Sequence, residues 1–110
     1  MYIIDEQYNI TLTRGNTFKC NVSMSDAGGN SYVPISTDVL TFKLHDFDDP
    51  DAAILSVSIP YNTCLLHITP ADTAALDTKN YFYDITIAFA SGDVDTFIGP
   101  QLFTLMPGGV

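Results

Sequence analysis

Apolar and polar residues alternate one by one along most of this chain, and that pattern limits the folds available to it. A period of two places successive side chains on opposite faces of an extended strand. The clearest stretches are residues 8–13, 18–24, 40–45, 53–59 and 81–89. With turn-forming residues between the stretches, the sequence predicts about seven to nine short strands. Parallel sheets need long crossover helices, for which the chain has no segment, so we expect an antiparallel all-β sandwich in one domain over residues 1–110.

Turn and helix signals predict how these strands are joined. Residues 10–24 form two alternating runs on either side of Gly15-Asn16, which predicts two strands joined across a turn. Residues 53–59 and 63–69 predict a hairpin closed around Pro60-Tyr-Asn62. Thr69 before Pro70 is typical of a helix start, so we expect one short helical turn near residues 70–77.

The charge balance excludes one class of partner. Thirteen acidic residues against four basic ones give a formal net charge of −9, which repels phosphate backbones, so we expect no nucleic-acid partner. No apolar run approaches the roughly 20 residues that span a bilayer. The first residues, Met-Tyr-Ile-Ile-Asp-Glu, lack the basic and apolar regions of a signal peptide. We therefore expect neither membrane insertion nor secretion.

Two cysteines, Cys20 and Cys64, each lie in an apolar alternating run. They are compatible with a disulfide between two sheets, or with two reduced thiols that serve as small core residues. Without an export signal, the sequence favours the reduced thiols.

Residues for catalysis are scarce. Nucleophilic catalysis needs a nucleophile, a base and a group that orients the base. The only imidazoles, His45 and His67, stand at polar positions of alternating runs, which predicts surface residues. No phosphate-binding glycine loop, nucleophile elbow or zinc-ligand spacing is present. We therefore expect no enzyme activity, no catalytic residues and no cofactor.

An acidic loop is the best candidate for binding an ion. Asp46, Asp48, Asp49 and Asp51 could supply oxygen ligands to calcium, which prefers six to eight of them. The loop lacks the residue order and the distal glutamate of an EF-hand, and dense carboxylates in a loop are usually solvated. The sequence therefore favours a solvated loop, with calcium as the alternative.

Tyr81 and Tyr83 flank Phe82 at the start of the longest alternating run. They could form an exposed binding platform. The pattern favours rings packed in the core with a hydroxyl bonded to the backbone, as in a tyrosine corner.

Four blocks of sequence resemble a family of bacteriophage structural domains, typified by the N-terminal domain of phage baseplate upper proteins and by similar small immunoglobulin-like proteins of phages and prophages. The blocks are Ile10-Thr-Leu-Thr-Arg-Gly-Asn-Thr17, Val39-Leu-Thr-Phe-Lys-Leu44, Thr69-Pro-Ala-Asp-Thr-Ala-Ala-Leu76 and Tyr81-Phe-Tyr-Asp-Ile85. The chain departs from the family pattern at Asn16, Ala71 and Asn80, where the family has Asp, Glu and Gly.

The resemblance implies an immunoglobulin-like sandwich and a part in the virion. Such domains belong to tails, baseplates or particle decorations and work in multiple copies. It therefore implies a homo-oligomer that contacts other virion proteins and is produced in the cytoplasm of a bacterial host. The alternative is a surface module that binds carbohydrate or a host protein, with calcium in the acidic loop.

Overall fold

The structure is a computed structural model that describes residues 2–4, 8–25 and 30–108. Within these ranges, ten strands and one helix follow one another along the chain. They are β1 (Tyr2–Ile4), β2 (Ile10–Thr13), β3 (Phe18–Asn21), β4 (Met24–Ser25), β5 (Ser31–Tyr32), β6 (Val39–Asp46), β7 (Asp49–Ile59), β8 (Leu65–Ile68), α1 (Pro70–Thr73), β9 (Asn80–Ala88) and β10 (Val94–Met106). The protein is mainly β with almost no helix, as predicted. The strand count exceeds the predicted seven to nine, partly because β4 and β5 form a separate ladder of only two residues each.

The largest sheet has six strands in the order β1-β2-β10-β9-β6-β7. Its neighbouring strands are antiparallel except for β2 and β10, which run parallel with Ile10 opposite Phe103. The prediction of a wholly antiparallel architecture is therefore wrong at this pair. A parallel pair needs a long connection, and here that connection consists of strands β3 to β9 with the short helix α1 between β8 and β9. A 3.0 Å backbone hydrogen bond from Arg14 N to Met106 O continues the pair beyond β2.

A second, small sheet consists of β3 and β8, with Phe18 opposite Ile68 and Cys20 opposite Leu66. β2 leads into β3 through a turn at Gly15, whose φ of +91° favours glycine because it has no Cβ. The two strands are joined across this turn as predicted. They belong to different sheets, so the turn carries the chain from one sheet to the other.

The predicted hairpin between residues 53–59 and 63–69 is wrong. β7 pairs with β6, and β8 pairs with β3. A tight turn does form at the predicted place, where Cys64 N donates to Pro60 O at 2.8 Å and Cys64 has a φ of 51°. A local turn signal fixes the change of direction but not the partner strand, and this turn leads from the large sheet to the small one.

One hydrophobic core receives side chains from both sheets. In β6 and β9 every second residue is buried, which confirms the period of two. The buried apolar residues of the core are Ile10, Leu12, Phe18, Met24, Leu40, Phe42, Leu44, Ile59, Leu66, Ile68, Tyr81, Tyr83, Ile85, Ile87, Phe103 and Leu105. Phe42 stacks on Tyr83 with the ring centroids 5.3 Å apart, which ties β6 to β9 at the centre of the large sheet.

The predicted helical turn is present but shorter than residues 70–77. Thr69 Oγ1 accepts from Asp72 N at 3.3 Å, and an Asp72 carboxylate oxygen accepts from Thr69 N at 2.8 Å. These reciprocal bonds form a capping box that satisfies backbone donors at the helix start. The helix ends at Thr73, beyond which Leu76 N donates to Thr73 O at 3.0 Å. Within the described residues, no helix has the length and apolar character needed to cross a bilayer.

Candidate functional site

The acidic segment is a tight hairpin turn rather than a cluster of converging carboxylates. Phe47 and Asp48 form the turn between β6 and β7. Asp46 accepts hydrogen bonds from Asp48 N at 3.0 Å and from Lys79 Nζ at 2.6 Å, while Asp48, Asp49 and Asp51 are exposed. Across the described residues, no group of three or more His, Cys, Asp or Glu is placed to hold a metal ion. The geometry therefore gives no support to a calcium site in this loop.

Lys79 links this hairpin to the start of β9. Its hydrogen bond lowers the pKa of the Asp46 carboxyl below the ordinary value, with a smaller contribution from Asp48 N. The same bond raises the pKa of Lys79. The Lys79 ammonium also lies 5.4 Å from the centroid of the Tyr81 ring, within the range of a cation–π contact. Because both side chains are partly exposed, we expect this ion pair to make only a small contribution to the stability of the fold.

The two histidines occupy different environments. His67 is exposed, as predicted. The prediction of a surface residue is wrong for His45, which is only 9% exposed although it lies on the outer face of the large sheet. Its ring stacks on Phe82 with centroids 4.9 Å apart, and its Nε2 lies 3.2 Å from Asp84 Oδ2. Both ring nitrogens are buried, and neither finds a partner in hydrogen-bond geometry among the described residues.

Both cysteines are free thiols and half-buried. Cys20 lies in β3 and Cys64 directly precedes β8, so both belong to the small sheet or its margin. Burial raises the pKa of the Cys20 thiol, which disfavours the reactive thiolate. The arrangement matches the preferred interpretation of two reduced, mainly structural thiols.

Tyr81 and Tyr83 are core residues rather than a binding platform. Each is 2% exposed. The Tyr81 hydroxyl donates to Asp77 O at 2.6 Å, and the Tyr83 hydroxyl donates to Tyr8 O. This confirms the predicted combination of a buried ring and a hydroxyl bonded to the backbone.

The outer face of the large sheet presents a group of aromatic and apolar side chains, which we call the aromatic patch and define as His45, Phe47, Phe82 and Leu102. Phe47 is 57% exposed and its ring lies 5.2 Å from that of Phe82. Leu102 is 38% exposed and stands opposite Phe82 across the ladder of β9 and β10. The patch is therefore an accessible apolar surface next to the Asp46–Lys79 ion pair.

Sequence reasoning did not predict the aromatic patch, although one signal for it was present. Phe82 is a large apolar residue at an outward position of an alternating strand, between the inward Tyr81 and Tyr83. Phe47 stands alone among acidic residues in a turn. An apolar side chain that breaks the alternation in this way indicates an apolar position on the protein surface. The strand order, which the sequence does not reveal, brings His45 of β6 and Leu102 of β10 beside Phe82 of β9.

A recess of about 430 Å³ lies between the two sheets. Its lining includes Phe18, Cys20, Met24, Tyr8 and Tyr83. Its volume is within the roughly 300–1,000 Å³ typical of small-molecule sites. The lining of the recess is mainly apolar, and the Tyr83 hydroxyl is already bonded to Tyr8 O.

Comparisons of the chain with protein-family models, with curated proteins and with solved structures returned no match.

Proposed function

We propose that this protein is a structural component of a phage or prophage virion, in the tail, the baseplate or the particle decoration, where it acts as a protein–protein assembly or adaptor module. The aromatic patch carries the proposal. Phe47 and Leu102 expose apolar surface on a sheet face whose neighbouring groups are charged. Aromatic residues within a polar rim are enriched in protein interfaces and often contribute most of the binding energy.

The finer fold assignment belongs to the same proposal: an immunoglobulin-like β-sandwich. Three features support it. Side chains from a six-stranded sheet and from the β3–β8 sheet share one core. The connections repeatedly cross between these sheets, at Gly15 and after Pro60. The Tyr81 hydroxyl bonds a backbone carbonyl four residues upstream, at the start of a long strand, as tyrosine corners do in such domains.

The chemistry of the surface supports protein partners of the virion. A formal net charge of −9 disfavours packaged nucleic acid as a direct ligand, and it limits nonspecific association at high local concentration. The proposal assigns no catalytic residue, cofactor or metal. It places the protein in the cytoplasm of the bacterial host until it is built into the particle, in more than one copy.

Replacement of Phe47 by Ser tests the patch, because the side chain is 57% exposed and contributes little to the core. Val94→Ser is the matched control. Val94 is 62% exposed and is the first residue of β10, eight residues before Leu102 of the aromatic patch. We expect both variants to fold, the Val94 variant to be recovered in purified particles at the wild-type level, and the Phe47 variant to be depleted. Pull-down against the neighbouring tail proteins should show the same order.

Two results would contradict the proposal. One is the absence of the wild-type protein from purified particles by mass spectrometry. The other is equal incorporation of the Phe47 and Val94 variants, which would remove the aromatic patch as the contact surface.

A second function, a surface module that binds carbohydrate or a host protein, is favoured by the 430 Å³ recess between the sheets. Its mainly apolar lining is suited to the apolar face of a sugar ring or to an inserted side chain. A glycan array and pull-down from host envelope extracts test it with the wild-type protein. Binding that is lost on Met24→Trp, which fills the recess, and kept on Phe47→Ser would favour this function over assembly.

A further inference from the structure

Strand β7 forms one edge of the six-stranded sheet, and its regular part is residues 55–59. These five residues pair in unbroken register with residues 40–44 of β6. Among the described residues, β7 is hydrogen-bonded on that side only. A strand at a sheet edge exposes a row of backbone donors and acceptors that a further strand can pair with.

Residues 55–59 lack the features with which natural proteins usually block such an edge. Those features are charged side chains, proline and bulges. No charged residue lies between Asp51 and Ile59, and the nearest prolines are Pro50, at the start of β7, and Pro60, directly after its last residue. The register shifts against β6 occur before Leu55. The N-terminal part of β7 is therefore blocked, and the open part is the stretch of residues 55–59, at whose end Ile59 is buried and Pro60 begins the turn to the nearby β8.

The sequence of this open part, Leu55-Ser-Val-Ser-Ile59, is a near palindrome about Val57. If two copies pair antiparallel with the two Val57 residues opposite each other, Leu55 of one copy stands opposite Ile59 of the other, and Ser56 opposite Ser58. Apolar side chains then meet on the core side, and hydroxyls meet on the outer side. Both kinds of cross-strand pair stabilise antiparallel sheets.

The acidic residues of β7 favour the same arrangement. In an antiparallel pair centred on Val57, Asp49 and Asp51 of the two copies lie at opposite ends of the junction. In a parallel pair they would stand side by side and repel. Ile54 and Tyr61, whose side chains are 40% and 41% exposed, flank the junction and would add apolar area to the contact between the two copies.

We propose that β7 pairs with β7 of a second copy of this chain about a two-fold axis at Val57, which joins the two large sheets into one continuous sheet. The interface is isologous, because residues 55–59 supply both halves of it. It rests on the proposed function in one respect: several copies in one particle raise the effective concentration of a small interface. A strand edge buries less area than most stable dimers, so we expect a weak dimer in the micromolar range.

Two double variants on the exposed face test the register, since Ser56 and Ser58 face solvent in the single chain. Ser56→Lys with Ser58→Lys places like charges opposite each other across the axis, at both ends of the junction. Ser56→Lys with Ser58→Asp places opposite charges there instead. Thr96→Lys, on an exposed position of β10, is the control for an added lysine away from β7.

Sedimentation equilibrium over a range of concentrations measures the dissociation constant, and thermal melts check that each variant folds. We expect the Lys/Lys variant to weaken the dimer by about tenfold from two repulsive pairs, and the Lys/Asp and Thr96 variants to retain it. The Lys/Lys variant also lowers the net negative charge, so a general charge effect would strengthen association instead. Amide hydrogen exchange at residues 55–59 should slow as the wild-type concentration rises.

A wild-type protein that is monomeric at millimolar concentration overturns the inference. So does a dimer that the Lys/Lys variant leaves unchanged, or one that both double variants weaken equally. Amides at residues 55–59 that become protected only when another virion protein is added would identify a foreign strand as the partner and overturn the second copy. Dimerisation without presence in particles contradicts only the proposed function, and presence in particles without dimerisation contradicts only the β7 pair.

Discussion

The hydroxyl of Tyr81 is a buried contact whose contribution to stability can be isolated by one substitution. Tyr81→Phe removes a single oxygen and keeps the ring, which is 2% exposed and lies 5.4 Å from the Lys79 ammonium. The cation–π contact and the core packing therefore remain. What is lost is the 2.6 Å hydrogen bond to Asp77 O.

The magnitude follows from that bond. A hydrogen bond between neutral groups contributes about 1 kcal/mol net, and the loss of this partner at the part-buried Asp77 O adds about 1 kcal/mol at most. We expect Tyr81→Phe to lower the free energy of unfolding by about 1–2 kcal/mol and the melting temperature by about 5 °C. Urea denaturation with an unchanged m-value would show that the native state, rather than the unfolded state, is affected.

The pH dependence of this difference provides a second check. Burial raises the pKa of Tyr81 in the folded protein. The folded state therefore favours the protonated phenol, and the contribution is complete below the unfolded pKa and is lost as the pH rises through the folded pKa. The gap between wild type and Tyr81→Phe should be constant near neutrality and close in strong alkali.

Tyr61→Phe is the matched control, because Tyr61 is 41% exposed in the turn after β7. It should change the unfolding free energy by less than about 0.5 kcal/mol. The reasoning is refuted if Tyr81→Phe and Tyr61→Phe are equally stable, since the hydroxyl would then contribute nothing at this corner.

Three further expectations follow from the capping box, the ion pair and the acidic turn. Thr69→Ala should cost about 1 kcal/mol in urea denaturation, against a negligible cost for the exposed Thr63→Ala, and equal costs would show that the capping box is not stabilising. Asp46→Asn should destabilise near neutral pH, and the difference should disappear in acid, because the lowered pKa of Asp46 gives stability that is lost as the pH falls through it. A difference that persists in acid would exclude the Lys79 bond as the cause. The melting temperature should be the same in calcium and in chelator, since binding to the native state would raise it, and a rise in calcium would restore the acidic turn as an ion site.

The inward side of the sheets was predictable from the sequence, and the order of the strands was not. Phe42, Tyr83 and Ile85 are buried where the alternation placed them, because burial on one face follows directly from a period of two. The prediction of a hairpin after Ile59 was wrong, because a turn at Pro60 is compatible with either a hairpin or a connection to another sheet. Pairing depends on which edges are free, and that is a property of the whole fold.

The candidate site depends even more on tertiary structure. His45 has a polar position in its strand, yet it is buried, with the ring of Phe82 stacked on it and Asp84 3.2 Å from its Nε2. Asp46 is part of a conspicuous acidic run, yet its partner Lys79 is 33 residues away in the sequence. The aromatic patch likewise combines residues from three strands and a turn. In the sequence, no one of these residues indicates that the others lie next to it. Its components could be recognised individually, but not their association.

The parallel pair of β2 and β10 has a consequence for how the chain folds. Asn9, beside β2, accepts a hydrogen bond from the Leu102 amide across 93 residues of sequence. Closing so long a loop reduces the conformational entropy of the chain before the contacts between β2 and β10 have formed. Folding should therefore be slow for a domain of this size. During synthesis, β1 and β2 leave the ribosome long before β10 exists, so the side of β2 that pairs with β10 has no partner until the end of the chain is made. The large sheet can be completed only after β10 has been made.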